Sequence, residues 1–216
     1  MNTKIVSLLT AFGLCINAAF AGNSARVGFA SDYFYRGDQK SQESIQSSIT
    51  LNQSLGTLNG SIHVCSNQAL DTGNDSYHMG AGASTSVIEG LLSAYVGINH
   101  FEDVPGDSVV EAEVRASFDV FCSPSITVFR NLDESLYTYE LGISQVLETK
   151  FVDLSTSASY GNTETSSSND SEYYVLGVSA AKDLSESASL GGSVQYVDSD
   201  STDDEFVFGV GLTFNF

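Results

Sequence analysis

Few residues in this chain have the types and spacing that chemistry requires. His63 and Cys65 sit two apart, so a strand would point both the same way, as a nucleophile and a base or as two metal ligands. Residues i and i+2 of a strand are about 6.6 Å apart along it, beyond the reach of a nucleophile–base hydrogen bond. No third ligand stands in that part of the chain, so neither catalysis nor a metal is expected there. A second candidate is the run Asp198-Ser199-Asp200-Ser201-Thr202-Asp203-Asp204-Glu205, which resembles a calcium loop at first sight. Its sixth position is Asp203 rather than Gly and no distal Glu closes it, so it reads as a solvated acidic rim. The third is Glu111-x-Glu113-x-Arg115, with two carboxylates and a guanidinium at alternate positions. Such spacing puts all three on one face of a strand.

The elements that must carry these residues are strands. From residue 22 onward apolar and polar residues alternate with period two. Phe206, Phe208, Val210, Leu212, Phe214 and Phe216 alternate with Val207, Gly209, Gly211, Thr213 and Asn215. Val110, Ala112, Val114, Ala116 and Phe118 alternate with Glu111, Glu113, Arg115, Ser117 and Asp119. About twelve such segments are predicted, near 24–35, 43–54, 58–66, 75–87, 91–101, 108–119, 123–130, 136–147, 151–161, 172–182, 187–197 and 206–216. Most exceed the globular strand of about 5–6 residues and match the roughly 9–11 that a tilted strand needs to cross a bilayer. One apolar face throughout, with Ser, Thr, Gly and Glu on the other, suits lipid outside and water inside. The expected fold is all-β: an antiparallel up-and-down transmembrane β-barrel of about 12 strands.

The connections are expected to alternate between short turns and longer loops at 36–42, 67–74, 102–107, 131–135, 162–171 and 198–205. Two aromatic bands are expected on the outer face. Tyr33, Tyr35, Tyr77, Phe101, Tyr137, Tyr160, Tyr174, Tyr196 and Phe206 would mark the long-loop end. Phe118, Phe121, Phe151, Phe214 and Phe216 would mark the short-turn end. A soluble sandwich or lipocalin-like barrel would account for the alternation, but for neither the strand lengths nor the two bands.

Residues 1–21, MNTKIVSLLTAFGLCINAAFA, carry Lys4, an apolar stretch and Ala19-Phe20-Ala21, the pattern of a cleaved secretory signal peptide. The expected organisation is a signal peptide at 1–21 and an outer-membrane barrel at 22–216. The remaining chain is strongly acidic: the whole sequence has 27 Asp and Glu against 8 Lys and Arg, a net charge of −19. That excludes the basic footprint nucleic acid demands. Cys65 and Cys122 fall near opposite rims, about 25–30 Å apart. A disulfide needs Cα atoms within about 7 Å, so they are not expected to pair.

The segment Ser31-Asp32-Tyr33-Phe34-Tyr35-Arg36-Gly37-Asp38-Gln39-Lys40-Ser41 resembles the opening motif of the TorF-type porin family of bacterial outer-membrane barrels. Gln39 departs from the hydroxyl residue usual there. The resemblance covers about the first third of the chain after residue 21. It implies a Gram-negative outer-membrane barrel with porin function and names no solute.

By strand parity the inward residues are Arg26, Asp32, Arg36, His63, Cys65, His78, Tyr95, Glu111, Glu113, Arg115, Glu140, Asp153 and Gln195. Pore-lining candidates among them are Arg26, Asp32, Arg36, Glu111, Glu113, Arg115, Glu140 and Asp153, five acids against three bases. The expected function is a passive channel for small cationic or neutral solutes. The alternative is a non-channel barrel, structural or surface-interacting. The expected partners are outer-membrane lipid, lipopolysaccharide and small solutes. No enzyme activity is expected, because no histidine has a serine partner by parity, and no cofactor or metal is expected, because His63 and Cys65 lack a third ligand in that part of the chain.

Overall fold

In the computed structural model, residues 22–70, 74–104, 106–164 and 170–216 are described. The proposed signal peptide, 1–21, lies outside them. Twelve strands follow one another: β1 (Ser24–Tyr35), β2 (Asp38–Leu55), β3 (Leu58–Ala69), β4 (Asp75–Ile88), β5 (Leu92–Val104), β6 (Ser108–Phe118), β7 (Ser125–Asn131), β8 (Tyr137–Glu148), β9 (Asp153–Thr163), β10 (Ser171–Ser185), β11 (Ala188–Ser199) and β12 (Thr202–Asn215). Each pairs antiparallel with its neighbours in sequence, and β1 pairs with β12, so the sheet closes into a barrel with no free edge. The seam runs from Ser24 opposite Asn215 to Ala30 opposite Gly209. At its centre Gly28 faces Gly211. A Cβ on Gly28 would sit 2.7 Å from the Val210 carbonyl oxygen, so this close approach of the first and last strands depends on the missing side chains.

The solvent preference of the two faces is inverted relative to a water-soluble domain. Phe206 is 62 % exposed and Val114 56 %, whereas Asn99 is 3 %, Glu111 5 % and Glu113 6 % exposed. The outer surface is apolar, and the buried side chains include several polar and charged ones. Period-two alternation produces this directly, because every strand sends one parity out and the other in.

Two expectations are corrected. The connections are tighter than the spacing suggested. The expected 36–42 and 198–205 loops are the two-residue turns Arg36-Gly37 and Asp200-Ser201, and Asp203–Glu205 belong to β12. Arg36 and Gly37 both take positive φ, 51° and 83°, as a two-residue hairpin turn of the right twist demands. The strand signal over 38–42 was hidden because both of its faces are polar. Second, Tyr33, Tyr35 and Phe101 do not join an outer aromatic band. Tyr33 and Tyr35 line a lumen cavity with Phe101, and the Tyr35 and Phe101 rings lie 4.3 Å apart. The outer aromatics at that rim form cross-strand pairs on β9–β12. Tyr160 packs on Tyr174 at 5.0 Å and Tyr196 on Phe206 at 5.2 Å. At the rim holding the chain ends, Phe121 and Phe151 are more than 80 % exposed.

Cys65 and Cys122 are both free. Cys65 stands opposite His78 in the β3–β4 register and lines a lumen cavity. Cys122 lies in the β6–β7 connection at the rim of the chain ends.

Candidate functional site

The site is built by one hairpin leaving the wall. β1 stays paired with β12 only up to Ala30, and β2 pairs with β3 only from Ser44 onward. Between those points β1 and β2 pair with each other alone. Glu43, at φ 32°, marks where β2 departs. A bulge at Lys40 sharpens the bend: Tyr33 pairs with Ser41 but Phe34 pairs with Gln39. Residues 31–43 therefore fold inward, and the turn Arg36-Gly37 reaches across the lumen.

On the far side the Arg36 guanidinium meets the Glu111 carboxylate of β6 with two donors, at 2.5 and 2.6 Å. This fork-to-fork geometry is the strong form of the ion pair. The Tyr35 hydroxyl donates to the same carboxylate at 2.8 Å. The guanidinium carbon sits 3.8 Å from the centre of the Phe129 ring on β7, a cation–π contact. On the near side the Gly37 carbonyl oxygen accepts from Ser199 Oγ at 2.8 Å and Thr202 Oγ1 at 3.0 Å. Gln39 donates to Asp32 at 2.9 Å and to Glu205 at 3.1 Å. The hairpin is thus tied to β5–β7 at one side and to β11–β12 at the other.

Gly37 is indispensable to this crossing. A Cβ there would lie 2.7 Å from Tyr173 Cβ and 2.8 Å from Ser199 Cβ, at a φ of 83°. Gly56, in the β2–β3 turn, has φ 69° and open space around it. Gly56→Ala should cost only the left-handed strain of about 1–2 kcal/mol. Gly37→Ala carries the same strain plus the clash, and should lower the unfolding midpoint in urea clearly further. Equal midpoints for the two variants would show that the tip is not packed against β10 and β11.

Below the hairpin, Glu113 pairs with Arg115. Glu113 also accepts from Asn99 Nδ2 at 3.0 Å. Glu140 accepts from the Tyr173 hydroxyl at 2.9 Å. Large inward rings lie flat on glycines: Tyr95 covers Gly82 and Gly97, and Tyr173 covers Gly161, which keeps their bulk against the wall. Space remains on both sides of the crossing. A cavity of about 1000 Å³ opens at the hairpin-side rim, bordered by Asp38, Asp103, Asp107, Asp133 and Glu134 as well as Arg36 and Lys40. A second, of about 420 Å³, lies beneath Tyr35 and Arg36.

Of the sequence candidates, Arg36, Glu113, Arg115 and Glu140 border that second cavity, with Glu111 bonded to Arg36 above it. Arg26 and Asp32 line a separate cavity of about 420 Å³ along β1 and β10–β12. Asp153 lies apart from all of these, exposed at the rim of the chain ends and opposite Glu148. Parity did not single out Gly37, Asn99, Phe129 or Tyr173. Asn99 and Phe129 share inward parity with Tyr95 and Thr127, so a search for uncharged inward residues would have found them. Tyr173 likewise has the inward parity of Gly177, opposite to exposed Tyr174, Leu176 and Val178, whereas Gly37 acts only through the inward bend of the hairpin, which no local pattern encodes.

No family model and no curated protein matches the sequence. Solved structures of the same fold do. A KdgM porin in complex with disordered oligogalacturonate superposes with a TM-score of 0.60 at 10 % identity, covering 91 % of this chain and 99 % of that one. An outer membrane channel from Pseudomonas putida F1 gives 0.64 at 10 % identity, covering 92 % and 97 %. A NanC porin gives 0.59 at 8 % identity, covering 90 % and 100 %. These likenesses establish a shared barrel architecture.

Proposed function

We propose that this protein is an outer-membrane channel for small cationic or neutral solutes, narrowed by its own β1–β2 hairpin. The observation that carries the reading is a polar, charge-paired lumen inside an exterior of exposed apolar side chains. Only a hydrocarbon surround makes such an exterior favourable, and closed barrels are the strand architecture that satisfies every backbone group there. The porins and the channel of the same fold support the transport reading and the outer-membrane location. The 31–41 motif, which now has a structural role as the crossing hairpin, supports the narrower TorF-type attribution. The exported barrel of 22–216 and the leader at 1–21 belong to the same proposal.

Charge sets the solute class. Around the constriction, three carboxylates (Glu111, Glu113, Glu140) face two guanidinium groups (Arg36, Arg115), a net of one negative. The rim cavity adds Asp38, Asp103, Asp107, Asp133 and Glu134 against Lys40. A polyanion such as an oligogalacturonate meets repulsion on this route, whereas cations are concentrated. An enzymatic role has little support: among the described residues, the lumen histidines His63 and His78 face each other and Asn99 rather than a serine hydroxyl.

The plugged-barrel alternative has an observation of its own, the hairpin tied to both sides of the lumen. Single-channel recording of refolded protein in planar bilayers separates the two. Discrete, cation-favouring conductance steps are expected. Silent, correctly folded barrels would establish the non-channel reading instead.

A further inference from the structure

On the wall beneath the hairpin, strands β3, β4 and β5 bring together His63, His78 and Asn99. The Nε2 atoms of the two histidines lie 3.1 Å apart. Asn99 Oδ1 lies 3.4 Å from His78 Nε2. Nitrogen and oxygen ligands each about 2.0–2.2 Å from one tetrahedral ion stand about 3.3–3.5 Å apart. The His78–Asn99 edge falls in that range, and the His63–His78 edge is about 0.2 Å shorter than it.

Each donor is held by a neighbour. The His78 ring stacks on Phe101 at 4.1 Å with an interplanar angle of 11°. Asn99 Nδ2 is committed to the buried Glu113 carboxylate at 3.0 Å, which turns the amide oxygen toward the histidines. Outer hydrogen bonds of this kind fix metal ligands in orientation. The common space exists because position 80 is glycine: a Cβ there would lie 2.3 Å from Asn99 Oδ1 and 2.6 Å from His63 Nε2.

From this geometry we infer a binding site on the lumen wall for one divalent transition-metal ion, held by His63, His78 and Asn99. Two imidazoles select the class that favours nitrogen (Zn²⁺, Cu²⁺, Ni²⁺, Co²⁺) over Mg²⁺ or Ca²⁺. Among the described residues no group of three His, Cys, Asp or Glu side chains is placed to hold an ion. The third protein donor is therefore an amide oxygen, and water completes the shell. The ion's charge would lie beside Glu113, where cations crossing the constriction would meet it.

The 3.1 Å contact would equally serve an N–H···N hydrogen bond between the rings, and the experiment decides between the two. Full-length protein refolded in detergent is titrated with Co²⁺ alone, then with Zn²⁺ as competitor. One saturating equivalent with a visible ligand-field spectrum is expected, displaced by Zn²⁺. His63→Asn and His78→Asn should each weaken binding at least tenfold. His100→Asn should leave it unchanged, because His100 has the outward parity of Val96 and Ile98. Zinc X-ray absorption of the unaltered protein should show two imidazoles per ion and needs no variant. A wild type without saturable binding, a zinc spectrum lacking the imidazole pair, or undiminished binding by a folded, heat-modifiable double variant would each overturn the site. Binding in detergent requires no conduction, so a silent channel and a missing metal site are separate failures.

Discussion

Glu111→Gln is expected to release the β1–β2 hairpin from the far wall, with larger single-channel conductance and a less stable barrel. The Glu111 side chain is 6 % exposed and that of Arg36 13 %, so the pair is largely desolvated. Removing one partner of a buried pair strands the other charge and costs about 3–5 kcal/mol. Here Gln can still accept from the Tyr35 hydroxyl, but it cannot meet both guanidinium nitrogens as an anion. Replacing both partners with apolar residues of similar volume is often neutral. Arg36→Met combined with Glu111→Leu should therefore recover most of the stability lost in the single variant. The urea unfolding midpoint in detergent reads the stability, and conductance reads the hairpin. If Glu111→Gln leaves both unchanged, the crossing hairpin is not held by this pair. If the double variant is no better than the single one, the stranded-charge explanation fails.

The second large effect is on ion selectivity. The wild type should favour cations. Glu111→Gln with Glu113→Gln leaves Glu140 alone against Arg36 and Arg115, which turns the constriction from one net negative charge to one net positive. The preference should then invert toward anions. Neutralising Asp198, Asp200, Asp203, Asp204 and Glu205 should move it less. Those groups are at the rim, where charges more than about 8 Å from the path are screened at physiological ionic strength. Three of them also have hydrogen-bonded partners: Asp204 accepts from Tyr196 at 3.2 Å, Asp200 from the Glu172 backbone N–H at 3.0 Å and Glu205 from Gln39 at 3.1 Å. The reversal potential across a salt gradient compares wild type, the double variant and the rim variant directly. An anion-selective wild type, or a larger shift from the rim variant, would show that selectivity is not set where Arg36 meets Glu111.

Period-two alternation by itself determined the fold class, the strand count and the inside-out surface. Each is a one-dimensional consequence of side chains alternating across a strand. The parity of Glu111, Glu113 and Arg115 placed them inside for the same reason. The strand near 43–54 was legible by its Ile45, Ile49 and Leu51, but its extension to Asp38 was not, because 38–44 is polar on both faces. Tertiary structure alone decided that the hairpin bends inward. The bend depends on where two interstrand ladders stop, at Ala30 and Ser44, and on a bulge at Lys40. It turned Tyr33 and Tyr35 from expected rim aromatics into lumen residues. It also joined Arg36 to Glu111, 75 positions away. Likewise, His63 lacked a partner along its own strand, where i and i+2 lie too far apart. The register of β3, β4 and β5 supplied His78 and Asn99, since ligands across a sheet are brought close by strand pairing and leave no trace in local spacing.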